Sequence, residues 1–186
     1  SIGEAPYGEV PDVCASFGSR IFLLGGERAL AAGLPRLEKA LAGSGFSLVK
    51  EVFHGDCTYE AIRRAAKRAE EEKADMIFGM GGGKALDTAK GAACEAGLPV
   101  FTFPTIPATC AATTALSVVY REDGSFDRFD FFPRPARHCF IDLDILAHAP
   151  WKYLQAGMGD TMGKFFECHF AARGDQLAHS SALGRE

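Results

Sequence analysis

The sequence predicts an α/β protein: a parallel β-sheet with flanking helices, then a β-hairpin and the start of a helical second domain. Three observations predict it. Short apolar runs alternate with helical patterns up to residue 105, which calls for crossover connections and a sheet covered by helices. A glycine-dense stretch, "GMGGGKALDTAK" (79–90), lies between a strand-like run and a helix-like one. Beyond 105 the pattern changes to two β-prone runs around a turn, and then to a long helical tract.

The elements follow in order. "RIFLLGG" (20–26) is a continuous apolar run that stops at glycines, the mark of a buried strand. "ERALAAGLPRLEKALAGSG" (27–45) is helical, with a break expected at Gly33-Leu34-Pro35, because proline removes a helical N–H. "FSLVKEVF" (46–53) is a second strand. "TYEAIRRAAKRAEEEKA" (58–74) is an amphipathic helix capped by Thr58, with Ile62, Ala65, Ala66 and Ala69 on its apolar face. "DMIFGM" (75–80) is a third strand, "KALDTAKGAACEAG" (84–97) a third helix and "PVFTFPT" (99–105) a fourth strand. Such a succession is Rossmann-like, and ligands of these sheets sit beyond the carboxyl ends of the strands. "ALSVVYREDGSFDRFDFF" (115–132) turns through Glu122-Asp123-Gly124-Ser125 and predicts a hairpin. "HCFIDLDI" (138–145) resembles another strand. "WKYLQAGMGDTMGKFFECHFAAR" (151–173) is helical, with a break or cap expected at 157–160, and the tail "GDQLAHSSALGRE" has no strong pattern.

Bulk properties exclude several function classes. The 186 residues are 47% apolar and 24% charged, an ordinary globular balance. The net charge of −4, with scattered basic residues, is not a nucleic-acid footprint. No apolar run approaches the roughly 18 residues of a membrane span. The start, "SIGEAPYGEV", has neither a basic nor an apolar leader region, so no signal peptide is expected. The six cysteines (Cys14, Cys57, Cys94, Cys110, Cys139 and Cys168) are widely spaced without a CxxC, so free thiols in a cytoplasmic protein are expected.

Glycine at the opening of a helix leaves successive N–H groups accessible to an anion, and the helix dipole adds to the attraction. The stretch is not a P-loop: Gly83-Lys84 is followed by Ala85, and Phe78 stands five places before Gly83. Nor is it GxGxxG, because Lys84 occupies the last position. A tight strand–helix turn without a ligand is the plainer alternative. "FPTIPATCAATTALS" (103–117) leaves the fourth strand rich in small hydroxyls, namely Thr105, Thr109, Thr113, Thr114 and Ser117. Such a loop either contacts ribose, phosphate or an amide, or serves as turn and cap chemistry. Asp160 stands at the expected helix start, where an aspartate is an N-cap more often than a metal ligand. His169 and His179 do not form an HxxxH pair.

Taken together and in this order, "GMGGGKALDTAK", "PTIPATCAATTALSVVYREDG" and "APWKYLQAGMGDTMGKFFE" resemble the metal-dependent polyol dehydrogenases of the iron-containing alcohol dehydrogenase superfamily, and within it the glycerol dehydrogenase branch. A dehydroquinate-synthase-like enzyme shares the general architecture, but "GGGKALDTAK" suits the dehydrogenases better. The resemblance implies a dinucleotide-binding α/β domain over 1–150 and the beginning of a truncated helical metal and substrate domain over 151–186. It implies NAD or NADP as cofactor, a divalent zinc or iron ion, a small-molecule alcohol, polyol or 2-oxo acid as substrate, and a homo-oligomer. By position, Gly82, Gly83, Lys84 and Asp87 would hold the pyrophosphate region. Thr105, Thr109, Thr114, Leu116 and Tyr120 would line the adenosine or nicotinamide path, Asp160 would bind the metal and Cys110 would contact substrate.

Three departures from the family pattern stand out. Cys110 takes the place of an aspartate usual in glycerol dehydrogenases, and "TxxATCAAxTxLSVxY" looks more like a branch that reduces 2-oxo acids. The first strand ends in Gly25-Gly26 where NAD-preferring members often have an aspartate, so both NAD and NADP stay open. Family members continue into a helical domain with two histidine ligands. Without it, a helix bearing Phe165, Phe166 and Phe170 is expected to expose them. The readings are therefore a metal-dependent oxidoreductase transferring hydride between NAD(P) and a polyol or alcohol such as glycerol, an NAD(P)H-dependent 2-oxo acid (hydroxycarboxylate) reductase, and a truncated non-catalytic dinucleotide-binding module.

Overall fold

The structure is a computed structural model and describes residues 1–172. A short strand β1 (Ile2–Gly3) leads into a run of tight helical turns around α1 (Val10–Cys14). Then follow β2 (Arg20–Gly26), α2 (Glu27–Leu41), β3 (Ser47–Phe53), α3 (Tyr59–Glu71), β4 (Met76–Gly81), α4 (Gly83–Ala96) and β5 (Val100–Pro104). The hairpin β6 (Leu116–Tyr120) and β7 (Phe126–Phe131) comes next, then β8 (His138–Cys139), β9 (Ile141–Asp142), α5 (Leu143–Ala147) and α6 (Trp151–Ala172). The expected parallel sheet is present, in the order β3-β2-β4-β5-β8. Because β2 has β3 on one side and β4 on the other, the direction of winding reverses between β2 and β4. A crevice opens at such a switch point.

Helices cover both faces of the sheet. Ile21 and Leu23 of β2 face a layer formed by α1 and α2, while Phe22 and Leu24 face α3 and α4. Strand alternation accounts for the division, and burial on both faces accounts for the unbroken apolar run. Phe103 is fully buried, stacked on Phe140 at 4.9 Å and edge-on to Tyr7 at 5.1 Å, which fastens the first turn of the chain to the sheet. The α3 face is the one the sequence predicts, and the Thr58 hydroxyl accepts from the Ala61 N–H as its cap.

The structure corrects three expectations. α2 runs through Gly33-Leu34-Pro35 without a break. Leu30, Leu34, Leu37 and Leu41 are buried along one stripe, and this burial outweighs the bond that Pro35 cannot make. "HCFIDLDI" is not one strand. β8 extends the main sheet while β9 pairs with β1, and the Asp142 carboxylate then caps α5 by accepting from the N–H groups of Asp144 and Ile145. α6 has no break at 157–160, so Asp160 lies inside the helix and not at its start. The tail from 173 onward, with His179, lies outside the described residues. All six cysteines are free, as expected. Among the described residues no helix is long and apolar enough to cross a membrane.

Where β2 and β4 begin, the Asp75 carboxylate accepts from the Arg20 guanidinium at 2.7 Å and from the N–H groups of Ser19 and Arg20 at 2.9 Å each. Arg20 first, and then these N–H groups, hold its pKa well below the usual aspartate range. The folded value lies below the unfolded one of about 3.9, so the stabilisation is full above that pH and fades as pH falls through the folded value. In thermal melts, Asp75→Asn is expected to lower the melting temperature at about pH 7, and the gap to wild type should close progressively below about pH 4.

Candidate functional site

The crevice at the switch point is a cavity of about 910 Å³. Gly26 and Arg28 line it from the end of β2, Gly55 from the end of β3, Gly81 to Lys84 from the β4–α4 turn, and Thr105 and Ile106 from the end of β5. Asp144, His148 and Tyr153 close one side.

The two long helices α2 and α4 open their N-termini into this cavity, and both are left bare. The N-cap of α2 is Gly26 and that of α4 is Gly82, and neither helix has a side-chain cap. α3, whose N-terminus lies elsewhere, is capped by Thr58, and the short α5, whose first turn borders the cavity through Asp144, is capped by Asp142. In α4 the first helical bond runs from the Leu86 N–H to the Gly82 carbonyl. The N–H groups of Gly83, Lys84 and Ala85 precede it and point out of the helix end. Gly81 has a φ of +147°, a conformation that side chains disfavour, and a Cβ there would lie 4.0 Å from the Gly26 nitrogen. The two helix ends therefore act on one volume, each with the positive end of its dipole.

Two of the three Lys and Arg side chains here already have partners. Lys84 pairs with Asp56 across the mouth, and Arg36 pairs with Asp142 and Asp144. Asp144 is held below the usual carboxylate range by Arg36 first, and His148 adds to the effect. Arg28 has no carboxylate partner among the described residues and stands exposed at the rim.

Of the residues the sequence singled out, Gly82, Gly83, Lys84 and Thr105 meet at the cavity. Thr109 lies beside Gly83, at 3.5 Å from where a Cβ would be. Asp87 does not line the cavity. It is 5% exposed, 2.9 Å from Lys90, and its carboxylate accepts from the Val118 N–H at 3.1 Å. Burial raises its pKa, against the opposing pull of Lys90. Thr114 and Leu116 bind Lys90 through their carbonyls. Tyr120 lies in a separate groove beside α3, with its N–H donated to the Cys57 carbonyl. Lys90 is the residue the sequence reading missed. It is 2% exposed, and a lysine so placed looks in sequence like any surface charge.

Asp160 is partly exposed and pairs with Lys164 at 2.9 Å. This bond is the main cause of the raised Lys164 pKa. Among the described residues no three His, Cys, Asp or Glu side chains cluster as a metal site. α6 bears Met162, Phe165, Phe166 and Phe170 in solvent, all at least 55% exposed.

The fold and its bare helix ends define a doubly wound α/β domain built around a switch-point cavity. The family model for iron-containing alcohol dehydrogenase matches residues 1–137, and the chain belongs to that family. It is 40% identical over 149 residues to the glycerol dehydrogenase of Thermotoga maritima, covering 76% of this chain and 41% of that protein. It is 36% identical over 149 residues to the hydroxycarboxylate dehydrogenase A of Escherichia coli, covering 80% and 40%. The crystal structure of a probable glycerol dehydrogenase from Sinorhizobium meliloti superposes with a TM-score of 0.78 at 32% identity, over 89% of this chain and 44% of that one. The chain thus spans about two fifths of the length of these curated relatives.

α6 meets the rest of the site at Gly157, where a Cβ would lie 2.0 Å from the Pro107 carbonyl oxygen. Alanine gains helix propensity of about 1 kcal/mol over glycine. Gly157→Ala is nonetheless expected to loosen α6 from the 105–110 segment. Faster amide hydrogen exchange in both segments, with unchanged exchange in the sheet, is the expected result.

Proposed function

We propose that this chain forms the NAD(P)-binding half of a metal-dependent oxidoreductase acting on a small alcohol or polyol. The carrying observation is the pair of glycine-capped helix N-termini sharing one cavity at the switch point. A pyrophosphate has two anionic centres, and backbone N–H groups at two helix ends suit both. Gly82 and Gly83 would let the phosphates approach, and Lys84 would supply a charge now held by Asp56. Thr105 and Thr109 would offer hydroxyls along the path. Arg28, with no aspartate at Gly26, leaves room for NADP as well as NAD. When bound, the nicotinamide accepts or supplies the hydride, while the protein's part is orientation and charge. Asp160 is the single carboxylate this reading offers to zinc or iron. Since about three protein ligands are needed, the described residues alone do not hold a metal.

Cys110 favours a second reading, with a 2-oxo acid as the substrate. A neutral thiol in place of a carboxylate removes repulsion toward an anionic substrate, and hydroxycarboxylate dehydrogenase A is among the relatives. Steady-state rates separate the two. Faster NAD(P)H-dependent reduction of 2-oxoglutarate or oxaloacetate than oxidation of glycerol supports the 2-oxo acid reading, and a clear preference for glycerol overturns it.

The cofactor reading is tested by titrating the chain with NADH and NADPH. Gly83→Asp introduces a negative charge beside the bare helix end, on the side facing Thr109, and its Cβ meets no clash, since the nearest atom lies at 3.5 Å. The variant is expected to melt no lower than wild type, because an acid in the first turn suits the dipole. Its affinity should fall by at least about tenfold. Saturable binding lost in the variant supports the reading. Wild-type protein that binds neither dinucleotide is a non-binding module in this respect and overturns it.

A further inference from the structure

The ammonium of Lys90 is buried, yet it sits in the interior as a bound cation would. Its Nζ donates to the carbonyls of Ala111 at 2.7 Å, Thr114 at 3.3 Å and Leu116, and to the Thr114 hydroxyl at 3.2 Å. Asp87, one turn earlier, supplies the countercharge at 2.9 Å. Backbone carbonyls from three points of one segment thus converge on a single side chain. Charge-assisted bonds of this kind are the strong ones, and in a dry interior they are strengthened further.

The segment gathered in this way is the hydroxyl-rich one. Its first residues, Thr105 and Ile106, line the cavity. Ile106 lies over Gly82, and Thr109 and Ala111 lie over Gly83. Thr102 adds one further bond, from its hydroxyl to the Ala112 carbonyl at 2.8 Å. Gly83, Asp87 and Lys90 are spaced by four and three residues, so they form one stripe of α4. The end of that stripe meets the cavity and its middle holds the segment.

We propose that Lys90 is a positioning residue for the cofactor cavity: by drawing the carbonyls of Ala111, Thr114 and Leu116 together, it fixes the 105–116 segment against the bare N-terminus of α4 in the form that admits a dinucleotide. The inference rests on the dinucleotide reading above. Lys90 touches no ligand itself and acts through the segment it holds. Without it, the segment samples other conformations. The apparent affinity then falls by the fraction of molecules that keep the competent one.

Lys90→Met alone leaves Asp87 buried without a countercharge, so its loss of stability would say little. The informative variant is Asp87→Asn with Lys90→Met, which removes both charges and keeps an acceptor for the Val118 N–H. Neutralising a buried pair is often harmless to stability. Two measurements are made on the full chain, NADH affinity by titration and amide hydrogen exchange with and without NADH. The double variant is expected to keep wild-type exchange in the sheet. Exchange over 111–116 should rise by about tenfold, and the NADH Kd should rise by about the same factor. In wild type, NADH should slow exchange over 111–116.

Wild-type affinity in the double variant overturns the proposal, as does wild-type exchange over 111–116. If the double variant fails to fold, the wild-type exchange experiment decides: unchanged exchange over 111–116 on saturation with NADH overturns it. Wild-type protein that binds no NADH overturns the cofactor reading itself, and the two failures are thereby distinguished.

Discussion

The site depends on where α4 lies. Its N-terminus can face the cavity only because the helix packs unusually close to the sheet and to α3. A Cβ on Gly79 would stand 2.7 Å from the Ala89 Cβ, and one on Gly91 would stand 2.8 Å from the Ile62 side chain. Alanines 85, 89, 92 and 93 complete a face with almost no side-chain bulk. Small residues on the packed sides bring the helix axis near the sheet, and the end of β4 then delivers its first turn directly to the crevice. Bulk at position 79 or 91 would lift the helix and carry the N–H groups of Gly83 to Ala85 away with it.

That placement leaves the outward stripe of α4 to be covered, and the connection after β5 covers it. Lys90 and Asp87 bind the segment and the hairpin at once, since the Ser117 hydroxyl donates to the Asp87 carbonyl and the Val118 N–H to its carboxylate. A buried ion pair is a poor source of stability against an apolar substitute. It is a good source of uniqueness here, because carbonyls from three residues must be oriented together before the ammonium is satisfied. The same division of labour appears in the caps. Thr58 caps α3 away from the cavity and Asp142 caps the short α5, while the two long helices that open into the cavity, α2 and α4, have glycine and keep their donors free.

Most of the sheet was legible in the letters because strands buried on both faces read as continuous apolar runs. "RIFLLGG" and "DMIFGM" have no other good interpretation. The α3 face was legible for the complementary reason, a clean period of small apolar residues against charge. What escaped depends on partners distant in sequence. The N-terminal turns are too short to have a period, and they owe their place to Tyr7 against Phe103 and to Val10 and Cys14 in the core. Pro35 argued locally for a break, and the long buried stripe of α2 overrode it. "HCFIDLDI" has the composition of a strand, but Asp142 is also a good cap, and capping wins once Arg36 offsets its charge.

The site shows the same limit in one helix. "GGGKALDTAK" marks a helix end that lines the cavity, but the letters do not separate what the backbone does from what the side chains do. The backbone donors of Gly83, Lys84 and Ala85 leave along the helix axis toward the cavity. The stripe formed by 83, 87 and 90 leaves sideways, toward residues 109–118. An aspartate four places after the glycine therefore lies on the same face as the glycine's missing side chain and not in line with its N–H. Asp87 belongs to the scaffold for this reason, and its proximity in sequence to the phosphate-type loop is a consequence of both features needing the same helix. The letters put Asp87 next to the glycines, and the 100° turn per residue puts its side chain on the stripe that meets Val118 and Lys90.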